Sequence, residues 1–297
     1  MTDFVLVHGT WGGGWQWRPV AERLRARGHR VFVPTLTGLG ERQHLVTPTT
    51  GLDTHVDDIA NVIAWEELEN VALVGTSYGG LVIAGVADRM PERIRTLVFL
   101  DAALPQEGRC MLDLVPPERR ATVERLARQE GGGYLVPTSL VLDTGITDEA
   151  ERAAYLARMS PHPLRALLDP VRLTGRWRDV PNKVYVLASL KPTHHFVEYY
   201  EWASRTPGWS ARKIASNHFP MTTMPHETAA RRGRRAYSGP RLRRRAMRPS
   251  STTTARTSAP QKTSVARAAG GGCTCSGPAP TSSALAPSRA GATSARS

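Results

Sequence analysis

The stretch VALVGTSYGG, residues 71–80, decides the fold of this chain, because a buried strand in it runs straight into a cramped turn. Four apolar residues lead into Gly75-Thr76-Ser77-Tyr78-Gly79, and a helical pattern begins directly afterwards. A G-x-S-x-G motif that closes a strand and opens a helix is the setting of a nucleophile elbow, which projects the serine Oγ into a cleft. The alternative is a glycine-rich turn with an incidental serine. The strand and the helix on either side favour Ser77 as a nucleophile.

The charge of the chain is unevenly distributed along its length. The 297 residues include 39 Lys and Arg and 26 Asp and Glu, a net charge of +13. Residues 229–297 contain 14 of the basic residues and no acidic one, which leaves 25 basic and 26 acidic residues in 1–228. The body therefore needs no acidic partner. The tail has a tyrosine but no repeated aromatic residues, so we expect electrostatic adhesion and no specific nucleic-acid contact.

Signals for export, membrane insertion and metal binding are missing from the sequence pattern. The N-terminus enters a strand almost at once, without the basic and apolar regions of a signal peptide. No stretch reaches the roughly 18 apolar residues of a membrane span. Cys110 stands alone, and Cys273-Thr-Cys275 falls one residue short of the usual C-x-x-C spacing. We therefore expect a cytoplasmic protein without disulfides, without a metal and without an organic cofactor.

Short apolar runs alternate with longer amphipathic ones through most of residues 1–228. The candidate strands are Val-rich and apolar on both faces, as buried parallel strands are. They are 4–8, 30–34, 71–75, 94–101, 183–188 and 211–215. Helical patterns lie between them at 16–27, 53–68 and 78–89. The alternation predicts one α/β domain over 1–228, with a mostly parallel sheet of about six strands and flanking helices.

Two regions depart from this alternation. Residues from about 105 to 180 contain one weak strand candidate, 134–136, and helical patterns at 117–129, 147–158 and 163–169. We interpret this region as a small helical cap inserted between two strands of the sheet. Residues 229–297 are rich in Arg, Ala, Ser, Thr and Pro without any period. Such a segment buries too little apolar area to offset its ordering entropy, so we predict a disordered basic tail.

A serine nucleophile needs a general base, and the chain offers nine histidines. His218 follows the last predicted strand and therefore lies at the carboxyl end of the sheet, where sites of open α/β folds are found. His194 and His195 follow the preceding strand, and His226 lies on the next helix. We favour His218 as the base. His8 sits beneath the loop after the first strand, and we interpret it as structural.

The loop VHGTWGGGW, residues 7–15, follows the first strand. His-Gly followed by further glycines is the type of loop whose backbone N–H completes an oxyanion hole. The expected donors are the N–H groups of Thr10 and Tyr78. Trp11 and Trp15 would form an apolar pocket for the acyl or alcohol group together with the cap.

Seven segments between about residues 4 and 228 carry a resemblance to a known family. They are LVHGTWGGGW, GLGER, GLDTHVDDIANVI, VGTSYGG, LVFLDAALP, KVYVLAS and NHFPMTTMP. With them the chain resembles the compact α/β-hydrolases related to plant methylesterases and hydroxynitrile lyases, and their bacterial esterase-like relatives. The resemblance implies the α/β-hydrolase fold and hydrolase chemistry, but it does not name a substrate.

The sequence departs from the family pattern where the acid of the catalytic triad is expected. The strand before the histidine leads into Ser-Leu-Lys at 189–191, and no Asp occurs after Asp179. Asp101 ends the strand LVFLD one strand nearer Ser77, and it keeps the chain order Ser, Asp, His. Glu198, in a helical run, is the second candidate. A site that works without an acid is the third possibility.

The end of the family pattern is also altered. In relatives of this type the histidine loop leads into a closing amphipathic helix, which MTTMPHETAA at 221–230 begins. The run RRGRRAYSGPRLRRR then replaces its expected apolar face. GC-rich codons read out of frame would yield the composition of the tail. We therefore hypothesise that a frameshift replaced the original C-terminus.

These residues predict a serine carboxylesterase that cleaves a small or medium apolar ester through an acyl-enzyme. Phe219 stands where lyase members carry a lysine, which counts against cyanohydrin cleavage. Two alternatives stay open: another enzyme on the same scaffold, such as a lyase, a cyclase or a cofactor-free oxygenase, and a binding protein with a decayed site. The sequence does not indicate an oligomeric state.

Overall fold

A computed structural model describes residues 1–141, 144–190 and 193–230 of the chain. Its strands are β1 Asp3–Val7, β2 Arg30–Phe32, β3 Val71–Ser77, β4 Ile94–Ala102, β5 Leu135–Val136, β6 His162–Pro163, β7 Asn182–Ala188 and β8 Trp209–Ile214. Six of them form one sheet in the order β2-β1-β3-β4-β7-β8, and every neighbouring pair in it is parallel. The predicted α/β sheet is therefore confirmed.

Nine α-helices and six short 3-10 helices connect these strands in the described residues. The α-helices are α1 Arg18–Arg25, α2 Leu52–Trp65, α3 Gly79–Arg89, α4 Pro117–Glu130, α5 Glu149–Leu156, α6 Leu164–Leu168, α7 His194–Arg205, α8 Pro220–Thr223 and α9 Pro225–Ala230. The 3-10 helices are Gly14–Trp17, Gly40–Leu45, Pro91–Arg93, Met111–Leu114, Thr138–Leu140 and Arg176–Asp179.

The sheet is apolar on both faces, as the Val-rich strands predict. Alternate strand residues such as Leu73 and Phe99 belong to a core with α2, α3 and α7. Their neighbours Val74 and Leu100 belong to a second core with α1, α8 and α9. Successive side chains of a strand point to opposite faces, so each strand contributes to both cores. The strands end together at one edge, and the polar side chains considered below lie there.

Between β4 and β7 the chain leaves the sheet and forms α4, α5, α6 and a two-stranded antiparallel ribbon. In the ribbon, β5 pairs with β6 through Leu135 with Pro163 and Val136 with His162. The weak strand candidate at 134–136 is therefore one half of this ribbon. The sequence did not predict β6, because two residues that include a proline carry no strand periodicity. No helix in the part of the chain that the structure describes is both long and apolar enough to cross a membrane.

The α1 face of the sheet is incompletely filled. A cavity of about 440 Å³ is lined by strand residues such as Leu6 and Val98, by Trp17, and by Thr228 and Ala229 at the end of α9. Val98 is only partly buried. The first two residues assigned to the predicted tail, 229 and 230, belong to α9, and the rest of the tail, 231–297, lies outside the described residues.

Limited trypsin digestion of the native protein should give a core that ends near residue 230 and retains the ester-cleaving activity that the sequence predicts. Nine arginines lie within 231–248, which makes this segment rich in trypsin sites. The end of α9 is held to the turn after α1, where the Arg27 guanidinium donates to the Ala229 carbonyl at 2.9 Å. Mass spectrometry of the core, with activity followed in the same samples, checks this. A resistant tail, or activity lost in step with cleavage, would contradict it.

The frameshift hypothesis has a separate test in the gene. Reading the two alternative frames from about codon 230 should reveal a short helix with apolar residues at i, i+3 and i+4, followed by a stop. Such a helix would continue α9 across the open α1 face. If neither frame contains it, the tail is not a frameshift product.

Candidate active site

The strand-to-helix turn after β3 holds Ser77 in a strained conformation. Its φ is +53°, and its side chain is nearly buried. A positive φ is uncommon for a residue with a Cβ and marks a conformation that the surrounding structure must enforce. The flanking glycines permit it: a Cβ on Gly75 would lie 2.5 Å from the Gly79 carbonyl oxygen, and one on Gly79 would lie 2.7 Å from that of His8.

The loop after β1 lies directly against this turn. A Cβ on Gly9 would lie 2.8 Å from Ser77 Cβ and 3.4 Å from Ser77 Oγ. The backbone of the loop can therefore pack this closely against Ser77 because position 9 is a glycine. His8 fixes the start of the loop. The Leu36 N–H donates to His8 Nε2 at 3.1 Å, so its proton lies on Nδ1, which donates to the Gly9 carbonyl at 2.8 Å. Burial lowers the pKa of His8 to about 4, and the ring is therefore neutral and structural.

The loop after β8 brings His218 to the end of β4. His218 Nδ1 lies 2.7 Å from Asp101 Oδ2, and Asp101 is 2% exposed. The other carboxylate oxygen, Oδ1, accepts the Ala188 N–H at 3.0 Å. A carboxylate fixed in this way holds the imidazole proton on Nδ1 and leaves Nε2 free to accept a proton. The Phe196 ring stacks on the imidazole, with centroids 5.6 Å apart and an interplanar angle of 15°.

A β-bulge explains why Asp101 points to this edge. Thr76 pairs with Leu100 and Ser77 pairs with Ala102, so Asp101 is the extra residue between two register positions. Its φ is +45°. Bulges re-aim side chains near active sites, and an aspartate tolerates the left-handed region better than most residues do.

The other candidate acids and bases lie elsewhere. Glu198 is exposed on α7, and Leu190, after β7, is 65% exposed, while position 191 lies outside the described residues. His226 lies on α9, where Arg23 donates to its Nε2 at 3.0 Å. The ring of His195 packs on that of Phe196, with centroids 4.5 Å apart. Of the two carboxylates considered, Asp101 is therefore the one bonded to His218.

The expected oxyanion donors and pocket residues cluster around the loop after β1. Thr10 is partly buried on this loop, and Tyr78 is fully buried immediately before α3, whose first N–H groups have no partner within the helix. The Trp11 indole N–H donates to the Val136 carbonyl at 3.1 Å, and Trp15 packs edge-on against Tyr155 at 4.8 Å. Both tryptophans therefore contact the segment between β4 and β7.

Tyr155 on α5 is a residue that sequence reasoning missed. Its hydroxyl accepts Gln16 Nε2–H at 2.7 Å from the first loop and Thr222 Oγ1–H at 3.3 Å from α8. Burial raises the pKa of Tyr155 to about 12, so the hydroxyl keeps its proton. Its ring also lies 6.1 Å from that of Phe219. No local pattern marks a single tyrosine in a polar helix, so only the tertiary contacts reveal it.

The chain belongs to the alpha/beta hydrolase family, whose model matches residues 4–231. A carbendazim hydrolyzing esterase from Nocardioides sp. (strain SG-4G) is 39% identical over 240 residues, covering 77% of this chain and 97% of the relative. Esterase PIR7B of Oryza sativa subsp. japonica is 30% identical over 250 residues, covering 75% of this chain and 91% of the relative. An extracellular alpha/beta-hydrolase from a Paenibacillus species superimposes with a TM-score of 0.67 at 26% identity, covering 77% and 96%. The family expected from the sequence is confirmed.

Asp101→Asn should lower kcat by about 10⁴-fold, whereas Glu198→Gln should stay within about twofold of the unchanged protein. Asparagine keeps the shape of the carboxylate, but its amide favours the imidazole tautomer with the proton on Nε2. Both changes are isosteric, so melting temperatures serve as the folding control for the steady-state rates. The reverse ranking would move the acid to Glu198, and two near-neutral variants would mean that the site works without an acid.

His8 should make the fold sensitive to acid. Its pKa is about 4 when folded and 6.5 unfolded, so the unfolded chain binds the proton first as the pH falls. The stability that the neutral ring contributes is full above pH 6.5 and is lost between 6.5 and 4. Between pH 7.5 and 5, His8 should account for about 2 kcal/mol of the loss in unfolding free energy. Urea unfolding at pH 7.5 and pH 5 measures this loss in the unchanged protein and in His8→Gln. The loss should be smaller by about 2 kcal/mol in His8→Gln. An equal loss in both proteins would show that His8 is not the group that titrates.

Proposed function

We propose that this protein is a serine carboxylesterase of the cytoplasm that cleaves a small or medium apolar ester through an acyl-enzyme on Ser77. The main support is the 2.7 Å hydrogen bond between His218 Nδ1 and Asp101 Oδ2, at the sheet edge where β3 ends in Ser77. The esterase relatives agree with this chemistry, since the two relatives described above are both named as esterases.

In the acylation step, Ser77 Oγ attacks the ester carbonyl carbon and passes its proton to His218 Nε2. The carbonyl oxygen becomes an oxyanion, which accepts hydrogen bonds from the N–H groups of Thr10 and Tyr78. Each such donor is worth about 10²–10³ in kcat. The tetrahedral intermediate then collapses, the bond to the alkoxy oxygen breaks, and His218 returns the proton to the departing alcohol.

In the deacylation step, a water molecule takes the place of the alcohol. His218 Nε2 removes a proton from the water as its oxygen attacks the acyl carbon. The second tetrahedral intermediate then collapses, the bond to Ser77 Oγ breaks, His218 returns the proton to Oγ, and the acid is released. The imidazolium that forms twice per turnover is stabilised by Asp101. The Ala188 N–H on Oδ1 and the stacked Phe196 ring keep this pair in one orientation.

The aromatic residues around the first loop favour an apolar substrate. Trp11, Trp15, Tyr155 and Phe219 supply ring surface from the loop, from α5 and from the histidine loop. The Tyr155 hydroxyl already accepts hydrogen bonds from the side chains of Gln16 and Thr222. A neutral ester with an apolar acyl or alcohol group fits this lining better than a charged one. Carbendazim belongs among the test substrates, because the relative at 39% identity is named for its hydrolysis.

Ser77→Ala should lower turnover of every ester that the unchanged protein cleaves by at least about 10³-fold, with its melting temperature preserved. The measurement is a panel of p-nitrophenyl esters of increasing acyl length, together with carbendazim, run on both proteins. A fluorophosphonate probe should label the unchanged protein at Ser77 and leave Ser77→Ala unlabelled.

Two results would overturn the proposal. A Ser77→Ala variant that keeps a substantial fraction of kcat would show that the nucleophile is another residue. An unchanged protein that turns over no ester and takes up no probe would indicate a binding protein with a decayed site.

A further inference from the structure

A buried cluster of three side chains, Tyr78, His55 and His162, links the residue after the nucleophile to α2 and to the ribbon. All three are fully buried. We propose that this cluster, here called the YHH cluster, holds the two oxyanion donors in place, so that its members are positioning residues for ester hydrolysis. The inference rests on the proposed function and deepens it. Neither the triad nor the substrate pocket accounts for these three side chains.

The first link runs from Tyr78 to His55. The Tyr78 hydroxyl lies 2.9 Å from His55 Nδ1, and His55 Nε2 lies 2.9 Å from the Thr37 carbonyl oxygen. A carbonyl only accepts, so Nε2 carries the proton and Nδ1 accepts the tyrosine O–H. Burial raises the pKa of Tyr78 and lowers that of His55, so both groups stay neutral. The side chain of the residue that supplies one oxyanion N–H is thus anchored at its far end.

The second link runs from Tyr78 to the ribbon. The His162 ring meets the Tyr78 ring edge-on, with centroids 5.1 Å apart at 77°, and the His55 ring at 5.9 Å and 67°. The Trp11 N–H donates to His162 Nδ1 at 3.4 Å, which puts the histidine proton on Nε2. That N–H is buried without a hydrogen-bond partner among the described residues. The His162 ring is surrounded by edge-on aromatic contacts. An N–H group that points at the face of an aromatic ring forms a weak hydrogen bond.

The third link fixes the loop that supplies the other donor. Trp11 follows Thr10 directly and has a φ of +60°, a conformation that needs outside support. Besides its N–H bond to His162, its carbonyl accepts the Ser160 N–H at 3.1 Å, and its indole N–H donates to Val136 at 3.1 Å. Three hydrogen bonds to the segment between β4 and β7 therefore hold the residue next to the Thr10 donor.

The links converge on both proposed donors, Tyr78 directly and Thr10 through its neighbour. Oxyanion donors work because they are fixed before charge develops, and a misplacement of about 1 Å can cost about 10²-fold in rate. Loosening the YHH cluster should therefore weaken binding of the transition state while leaving binding of the ground-state ester intact. A cluster that merely stabilises the fold would change neither.

The test uses Tyr78→Phe, which removes the hydroxyl and keeps the ring and the backbone N–H. Tyr199→Phe is the matched control, because Tyr199 is also buried and its hydroxyl accepts Gln106 Nε2–H at 3.3 Å outside the cluster. Each protein is assayed with its best ester and with a trifluoromethyl ketone of the same acyl group. Ser77 Oγ adds to the ketone carbon, its proton passes to His218, and the carbonyl oxygen becomes an oxyanion. The corresponding methyl ketone serves as a ground-state analogue.

Tyr78→Phe should lower kcat about 10-fold, less than the loss of a whole donor, with KM within about twofold. The trifluoromethyl ketone should bind more weakly by the same factor, whereas the methyl ketone should not. Tyr199→Phe should change none of these values. His55→Gln, which can accept and donate as the imidazole does, should retain more activity than His55→Leu, and this pair decides the matter if Tyr78→Phe fails to fold.

Three results would overturn the inference. Unchanged kcat and ketone binding in a less stable Tyr78→Phe would make the cluster structural. A raised KM with unchanged kcat would assign it to substrate binding. Equal activity of His55→Gln and His55→Leu would remove the hydrogen bond from the argument. Probe labelling and ester turnover by the unchanged protein report separately on the proposed function, and the inference fails with it if both are absent.

Discussion

The geometry of the site depends on a steric constraint at the end of β3. Ser77 adopts a φ of +53° in a turn where a Cβ on Gly75 or Gly79 would collide with backbone, and one on Gly9 would collide with Ser77 Cβ. The strand, the helix and the first loop can meet at one point because those glycines are small. The constraint also costs conformational energy, which the buried cores on both sides of the sheet must offset. Ser77 is thereby presented at the edge where the parallel strands end.

A second irregularity on the neighbouring strand complements the first. Asp101 is the extra residue of a bulge opposite Ser77, and it too has a positive φ. The family pattern expects the acid just after β7, and β7 itself contributes a backbone donor, the Ala188 N–H, to the Asp101 carboxylate. Phe196, on the helix that follows β7, stacks on His218. The β7 segment thus takes part in orienting the imidazole without supplying a carboxylate.

The sequence predicted the parts of the molecule that follow from local pattern and from sheet topology. The strand and helix around Ser77 made it the candidate nucleophile, and the rule that parallel strands end at one edge made Asp101 the first of the alternatives considered for the acid beside His218. The hydrogen bonds that hold Trp11 to His162 and Gln16 to Tyr155 join residues more than 130 positions apart. No periodicity reports such contacts, because they form only when the segment between β4 and β7 folds back over the first loop. Of the two strands of the ribbon, only β5 overlaps a strand candidate of the sequence, because β6 has two residues, one of them a proline, and shows no strand periodicity.

The buried histidines and His218, the proposed general base, have different surroundings. His8, His55 and His162 are fully buried, none of them bonds a carboxylate within the described part of the chain, and burial lowers the pKa of each, so they stay neutral. His218 keeps 14% of its side chain exposed and bonds the Asp101 carboxylate. A general base must take up a proton and release it, which requires a partner for the charged form and a free nitrogen. Holding the proposed oxyanion donors in place requires no proton transfer, and the neutral rings of His55 and His162 suit it because they place no mobile cation beside the two backbone N–H groups.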